Sequence, residues 1–333
     1  MNDVTSCSSP AKPLSYRFTI DEHIAWLSHL ETEGFVVLSA AGDSAQVEAA
    51  TNLLWRDIEK SGAEQHDMRT WDKIRTPPSG IAASLAQSAG SWSVRGWPRV
   101  KQAFALLWGE EDLIVSMDAV LIWRPWWGAM AHPCQSVSLD EARPRWRFPI
   151  SEGLHLDQNP FSKPGRECVQ GMVPLCRVTP EVGGLQVVPK SHTDGERLRT
   201  ALPHLASYDD WCPLPRSFVK DQDAMLLLAE AGDLIIWDSR TVHGALVGKG
   251  GDGTMSGGNS SSTQLARLSV IVSMTPRARA SKEVLAARAE GFFTGKRSFN
   301  HVPHEAGTSS GTVHATVSDY KPCELSEAQL SLL

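Results

Sequence analysis

The sequence predicts a mainly β fold, an all-β sandwich or barrel with flanking helices and a helical layer on its N-terminal side. Two observations carry this expectation. Before Asp112 apolar residues recur at three- and four-residue intervals, whereas after it come short apolar runs bounded by Gly, Pro and Asp. From Ser281 to Phe293 the helical spacing returns. A barrel with added helices often fills 333 residues as one domain, and apolar usage of 41% supplies an ordinary core.

The elements follow in order. Residues 1–15, rich in Ser and Pro, read as a flexible arm, and 16–333 as a single domain. Its helical layer spans about 16–110, its β core about 112–276, and a C-terminal helix and tail 281–333. After a cap at Thr19 or Asp21, Ile24, Leu27 and Leu30 mark one helix that Gly34 stops, and Phe35–Leu38 reads as a buried strand. Ser44 opens a second helix through Val47, Leu54 and Ile58. Helices are also expected over Gly80–Ser91 and Val100–Trp108. Strands are expected at Leu113–Val115, Ala119–Trp123, Cys168–Leu175, Gly184–Val188, Met225–Leu228, Leu234–Trp237 and Leu265–Met274. Residues 128–150 read as an insertion before a short strand around residue 155, and the Gly/Ser-rich stretch 248–263 as a flexible loop.

Charge and cysteine usage narrow the function classes. A net charge of −6 with no Lys/Arg block argues against a nucleic-acid partner. No stretch approaches the about 18 apolar residues a membrane helix requires, and no charged start followed by an apolar run marks a leader. The six cysteines form no CxxC pair, so reduced thiols and a cytoplasmic protein are expected.

His155-Leu156-Asp157 is the most informative motif. Residues i and i+2 of a strand share a face, so His155 and Asp157 project together while Leu156 turns away. His243 follows the apolar strand Leu234–Trp237, and a jelly roll brings strands distant in sequence side by side. Two histidines and a carboxylate form the ligand set that holds non-heme Fe(II) with positions open for substrate and O2. HxD alone recurs by chance, so its surroundings matter. Arg267 and Ser269 share one face of the strand after His243, and a buried guanidinium there needs a partner. Its planar fork suits the distal carboxylate of 2-oxoglutarate.

With the segments HLDQNP, GGLQVVPKSH, GDLIIWDSRTVHG and RLS, led by EGFVVL, the chain resembles the phytanoyl-CoA dioxygenase family of Fe(II)/2-oxoglutarate oxygenases from about Gly34 to Thr275. The resemblance implies a double-stranded β-helix (jelly-roll, cupin-like) core, with iron at His155, Asp157 and His243 and 2-oxoglutarate anchored by Arg267, with Ser269 beside it. It further implies oxidation of a small-molecule substrate at a C–H bond, coupled to decarboxylation of 2-oxoglutarate to succinate. Because Asp157 supplies a carboxylate, hydroxylation is expected over halogenation; desaturation and ring closure stay open. The interval 267 − 243 = 24 is longer than usual for the family and is read as an insertion coinciding with the Gly/Ser loop. Ala245 stands where relatives often carry a small polar residue. Arg240 is a rival anchor, read as structural or solvent-facing because it lies in the turn three residues before His243.

Candidate substrate contacts are Gln158 and Gln170, beside or facing the metal strand, and Trp123, Arg124 and Trp126, where indoles beside a guanidinium could line a pocket. The competing reading has these indoles packing helices onto the barrel. The remaining histidines, His301 among them, read as loop or surface residues. Gly248-Lys249-Gly250-Gly251-Asp252-Gly253 satisfies GxGxxG by letters, but no helix follows, so a dinucleotide site is not expected. Two alternatives stand beside the oxygenase: a cupin-like non-oxidative metal enzyme and a non-catalytic metal- or ligand-binding jelly roll. Neither needs a carboxylate clamp at Arg267.

Overall fold

The computed structural model describes residues 12–14, 16–129, 146–219, 223–250, 264–295, 301–305 and 320–333. The chain begins with β1 (Lys12–Leu14), β2 (Phe18–Thr19), α1 (His23–Glu33), β3 (Phe35–Ser39) and α2 (Ser44–Ile58). β4 (Ile81–Ala82), α3 (Ala89–Arg95) and α4 (Pro98–Trp108) complete the helical layer. The strands β5 (Leu113–Val115), β6 (Val120–Trp123), β7 (His155–Leu156), β8 (Val169–Pro174) and β9 (Gly183–Val187) follow. Beyond α5 (Gly195–Ala201) lie β10 (Cys212–Pro213), β11 (Met225–Leu227), β12 (Leu234–Asp238), β13 (His243–Val247), β14 (Arg267–Ile271) and β15 (Met274–Pro276). α6 (Lys282–Thr294) and α7 (Glu327–Leu330) close the chain.

Two sheets form the jelly-roll core. The larger runs β2-β3-β12-β8-β14-β6-β4 and the smaller β1-β11-β9-β13-β7-β10, while β5 and β15 pair separately. Strand alternation sorts their side chains. Phe35, Val37, Met172, Ile235 and Trp237 of the larger sheet pack with Leu185, Val187 and Leu226 of the smaller. The intervening Val36, Leu38, Val169, Val173, Leu234, Ile236, Leu268 and Val270 pack outward with Trp26, Leu30, Leu54, Trp92 and Phe104 of the helices. Both faces of β12 are therefore buried, which is why Leu234-Ile235-Ile236-Trp237 reads as an unbroken apolar run. Gly171 on β8 permits this contact: a Cβ there would lie 2.6 Å from the Val272 carbonyl oxygen and 3.0 Å from the Phe104 ring.

The helix boundaries have local causes. Gly34, at φ 84°, ends α1 by donating its N–H to the Leu30 carbonyl. Asp43 and Gln46 form a capping box that starts α2. Three expectations are corrected. Gly80–Ser91 is not one helix, because Ile81 and Ala82 are drawn into pairing with Leu121 and Val120. Leu265–Met274 is not one strand: it holds all of β14 (Arg267–Ile271) and only the first residue of β15. Lys12–Leu14, placed in the flexible arm, run parallel to β11; the rest of the arm lies outside the described residues, as do 130–145 and 251–263 of the two expected insertions. Among the described residues no helix is long and apolar enough to cross a membrane, and Cys168, Cys176, Cys212 and Cys323 are free.

Candidate metal centre

The smaller sheet brings the distant metal-binding candidates together by direct pairing, with His243 opposite His155 in the β13–β7 ladder. The two imidazole centroids lie 4.5 Å apart. Asp157 completes the cluster: its carboxylate oxygens lie 3.7 Å from His155 Nε2 and 3.2 Å from His243 Nε2. One ligand atom from each of the three residues fits within 4.8 Å of the others. Leu156 turns away into a separate apolar cluster with Val242, Leu198 and Cys212.

The second nitrogen of each imidazole and one Asp157 carboxylate oxygen have protein partners. His155 Nδ1 lies 3.1 Å from the Gly153 carbonyl and His243 Nδ1 lies 2.9 Å from the Thr241 carbonyl. A carbonyl only accepts, so each Nδ1 carries the proton and each Nε2 keeps its lone pair for a metal. Gln170 Nε2 donates to Asp157 Oδ2 at 3.0 Å. Burial, reinforced by His243, pushes the His155 imidazole down to about 4, which favours the neutral, ligating form. Burial alone would raise the Asp157 carboxyl, yet the close approach of His243 and the other imidazoles around it hold it well below the usual carboxylate range. Donor set, tautomers and charge all fit a divalent transition metal.

Arg267 lies in the same barrel, and its side chain is shut off from water on an inner position of β14. Its Cζ sits 4.5 Å from the centroid of Trp123, its cross-strand neighbour, and its Nη2 reaches Met172 Sδ at 3.4 Å. Ile271, not Arg267, is the register partner of Met172, so the guanidinium leans back along the sheet toward Gln170. Gln170 and Met172 share a face of β8, about 7 Å apart along the strand. Arg267 has no acidic partner among the described residues, its Nε has no hydrogen-bond acceptor, and burial lowers its pKa to about 10. Ser269 shares its face of β14 and is buried.

The remaining candidates divide. Gln170 faces the cluster, but Gln158 does not. Its amide donates to the Lys163 and Gly165 carbonyls and accepts from the Glu167 and Cys168 N–H groups, so it ties up a loop. Together with Leu156 it lines a cavity of about 270 Å³ on the reverse side of the metal strand. Arg124 is likewise corrected: it donates to the Trp71 carbonyl at 3.0 Å and lies 3.8 Å from Asp72, within the helical layer. Trp123 supports Arg267. Trp126 stands edge-on to Trp123 and Trp127, and the three indoles pack with Ala245 and Val247 on the barrel's smaller sheet. They therefore close part of the barrel as well as meeting the helical layer. Arg240 is paired with the buried Asp238 at 2.8 Å, as its structural reading expects.

Two neighbours of the cluster escaped the sequence reading. The Trp237 ring packs 5.4 Å from that of His243, and its indole N–H is buried without an acceptor. His301 Nε2 lies 2.8 Å from the Asp157 carbonyl oxygen across 144 residues of sequence. For Trp237 the inward phase of β12 was an available signal; for His301 there was none.

Comparison with known proteins agrees with this geometry. The phytanoyl-CoA dioxygenase (PhyH) family profile matches residues 138–250, a span that contains all three metal-binding candidates but not Arg267. The "Ava biosynthesis cluster protein O" of Aspergillus versicolor is 25% identical over 254 residues, covering 68% of this chain and 73% of that protein. Among solved structures, the putative oxidoreductase from Salmonella typhimurium LT2 superposes with a TM-score of 0.58 at 14% identity, covering 97% of this chain and 86% of that one. The epimerase SnoN, solved with Fe3+, alpha ketoglutarate and nogalamycin RO, gives a TM-score of 0.43 at 16% identity over 77% of this chain and 84% of its own. The chain thus resembles the phytanoyl-CoA dioxygenase family in its central sequence, its jelly-roll fold and its clustered His155, Asp157 and His243.

Proposed function

We propose that the chain is an Fe(II)- and 2-oxoglutarate-dependent dioxygenase that oxidises a C–H bond of a small molecule. One observation carries the reading: a fully buried guanidinium, Arg267, has no acidic partner among the described residues and leans toward the Asp157 cluster. A cation kept out of water without a counter-charge is costly unless a ligand supplies one. A dicarboxylate that spans from the metal to Arg267 meets that need. Neither a cupin-like isomerase nor a passive binding module calls for it.

In this reading His155, Asp157 and His243 hold iron through two neutral Nε2 atoms and one carboxylate. Bound there with 2-oxoglutarate and O2, the metal supplies the oxidising power, as the co-substrate is converted to succinate and CO2. The protein's own contribution is positioning. Gln170 orients the Asp157 carboxylate, and Trp123 and Met172 steer Arg267 toward the far carboxylate of 2-oxoglutarate. The apolar walls around Trp126, Trp237 and Val187 keep water from the reacting centre. Substrate approaches on the side of Trp211, which is 37% exposed with its ring 6.1 Å from that of His155.

The test is anaerobic addition of Fe(II) and then 2-oxoglutarate. A weak visible absorption near about 500 nm is expected, as chelation at an open facial-triad iron implies. Folded, iron-loaded protein that develops no such band on 2-oxoglutarate addition would refute the proposal. Screening small molecules for stimulated succinate release then identifies the substrate.

A further inference from the structure

We infer that His301 is a positioning residue for the metal ligand Asp157, acting through the main chain; the inference rests on the metal-binding part of the proposed function. β7 is two residues long, and its pairing with β10 covers only His155 and Leu156. Asp157 therefore lies one residue beyond the ladder, where its carbonyl has no strand partner. The His301 ring takes that position, donating Nε2–H to the Asp157 carbonyl at 2.8 Å. The residue is 9% exposed, so water competes poorly for the same acceptor.

The ring is held from several sides. The Cys168 thiol donates to the His301 carbonyl, and Cys168 leads into β8, whose Gln170 donates to the Asp157 side chain. Arg288 donates to the Pro303 carbonyl at 3.1 Å. His304 Nδ1 lies 3.3 Å from Thr275 Oγ1, and Glu305 pairs with Lys163 at 2.6 Å. Residues 301–305 thus form a strap anchored on the barrel and on α6. Asp157 is gripped twice, at its carboxylate by Gln170 and at its carbonyl by His301, which fixes both the peptide and the direction in which the carboxylate points. Partners of this kind, one shell outside a metal, typically alter its affinity by about 10–100-fold when removed.

The experiment titrates Co(II), a spectroscopic probe of the site, anaerobically into the full chain without 2-oxoglutarate. His301→Leu removes the donor and keeps the bulk; a Co(II) dissociation constant weakened by about tenfold or more, with altered d–d absorption, is expected. His301→Gln restores an N–H at similar reach and should return affinity to within about threefold of the parent. Metal-free H301L should melt below H301Q by only the few degrees (about 2–8 °C) that one lost buried hydrogen bond costs, and both should be fully folded at the titration temperature, so the affinity difference reads positioning rather than unfolding. Equal Co(II) affinity in H301L and the parent, or equal loss in H301L and H301Q, overturns the inference. Should H301L fail to fold, His301→Asn, whose amide falls short of Asp157, replaces it with the same expected loss. If the unaltered chain binds no Co(II) beyond what His155→Ala binds, the metal site and the role of His301 fall together. If it binds and only the H301 series is flat, the metal site stands and this role alone is lost.

Discussion

The two polar ends of the barrel interior are built on opposite principles. At the His155–Asp157–His243 end, the protein itself partners the atoms around the ligand positions: backbone carbonyls take both Nδ1–H groups, Gln170 takes Asp157 Oδ2, and His301 takes its carbonyl. At the Arg267 end the guanidinium meets an indole face and a thioether, and its Nε has no acceptor. The first end is finished for a permanent occupant. The second is left short by one carboxylate, which suits a co-substrate that is consumed and replaced in every turnover.

The largest effects break the finished end. Asp157→Ala or His155→Ala should reduce metal binding to background, read by metal analysis after dialysis, because among the described residues only three protein ligands meet at the site. Retention of stoichiometric metal in both variants would move the site elsewhere.

Arg267→Met attacks the open end and separates the two principles most sharply. Metal binding should persist. Affinity for 2-oxoglutarate should fall by roughly 30- to 5000-fold, since removing one member of a buried charge pair costs about 2–5 kcal/mol. The cofactor-free protein should nevertheless become more stable by about 1–3 kcal/mol in urea unfolding, because a desolvated, unpaired cation is replaced by an apolar chain of similar length. A stability loss would mean that Arg267 has a counter-charge within the protein, and the case for an incoming carboxylate would collapse.

Gln170→Leu tests how much the finish itself is worth. With the donor to Asp157 Oδ2 removed, metal affinity should weaken by about tenfold, while 2-oxoglutarate affinity at saturating metal changes little. A selective loss of 2-oxoglutarate affinity would instead assign Gln170 to the co-substrate.

What was legible in the sequence follows from how local each relation is. His155 and Asp157 were legible because a period of two is a property of any strand, and the same rule put Arg267 and Ser269 on one face. Applied consistently, that rule also excludes Gln158 and Arg124: each is one residue from an inward-facing neighbour, Asp157 or Trp123, and turns away from it. β4 was misread because Ile81 and Ala82 become a strand only through pairing with β6, an interaction no local pattern carries. His301 lies at the extreme of this scale. Its role depends on β7 ending after Leu156 and on a strap fixed through Arg288, Thr275 and Lys163, none of which leaves a trace near residue 301.

The smallest expected effect concerns that strap. Burial, with Arg279 and Lys163 nearby and only partly offset by Glu167, lowers the His304 imidazole from 6.5 to about 4. Between those values the unfolded chain binds more protons than the folded one, so the stability associated with neutral His304 is present above 6.5 and drains away as pH falls toward 4. His304→Gln cannot be protonated and keeps a polar group toward Thr275. The metal-free variant should therefore lose less stability than the parent between pH 7 and pH 5, by about 1 kcal/mol after allowance for partial solvent screening. His155, whose imidazole is also lowered to about 4, titrates in both proteins and cancels in the difference. Urea midpoints at the two pH values give the comparison directly. Parallel acid limbs in parent and variant would mean that His304 is hydrated in solution, and that the strap is held to the barrel by Arg288 and Glu305 rather than by a buried imidazole.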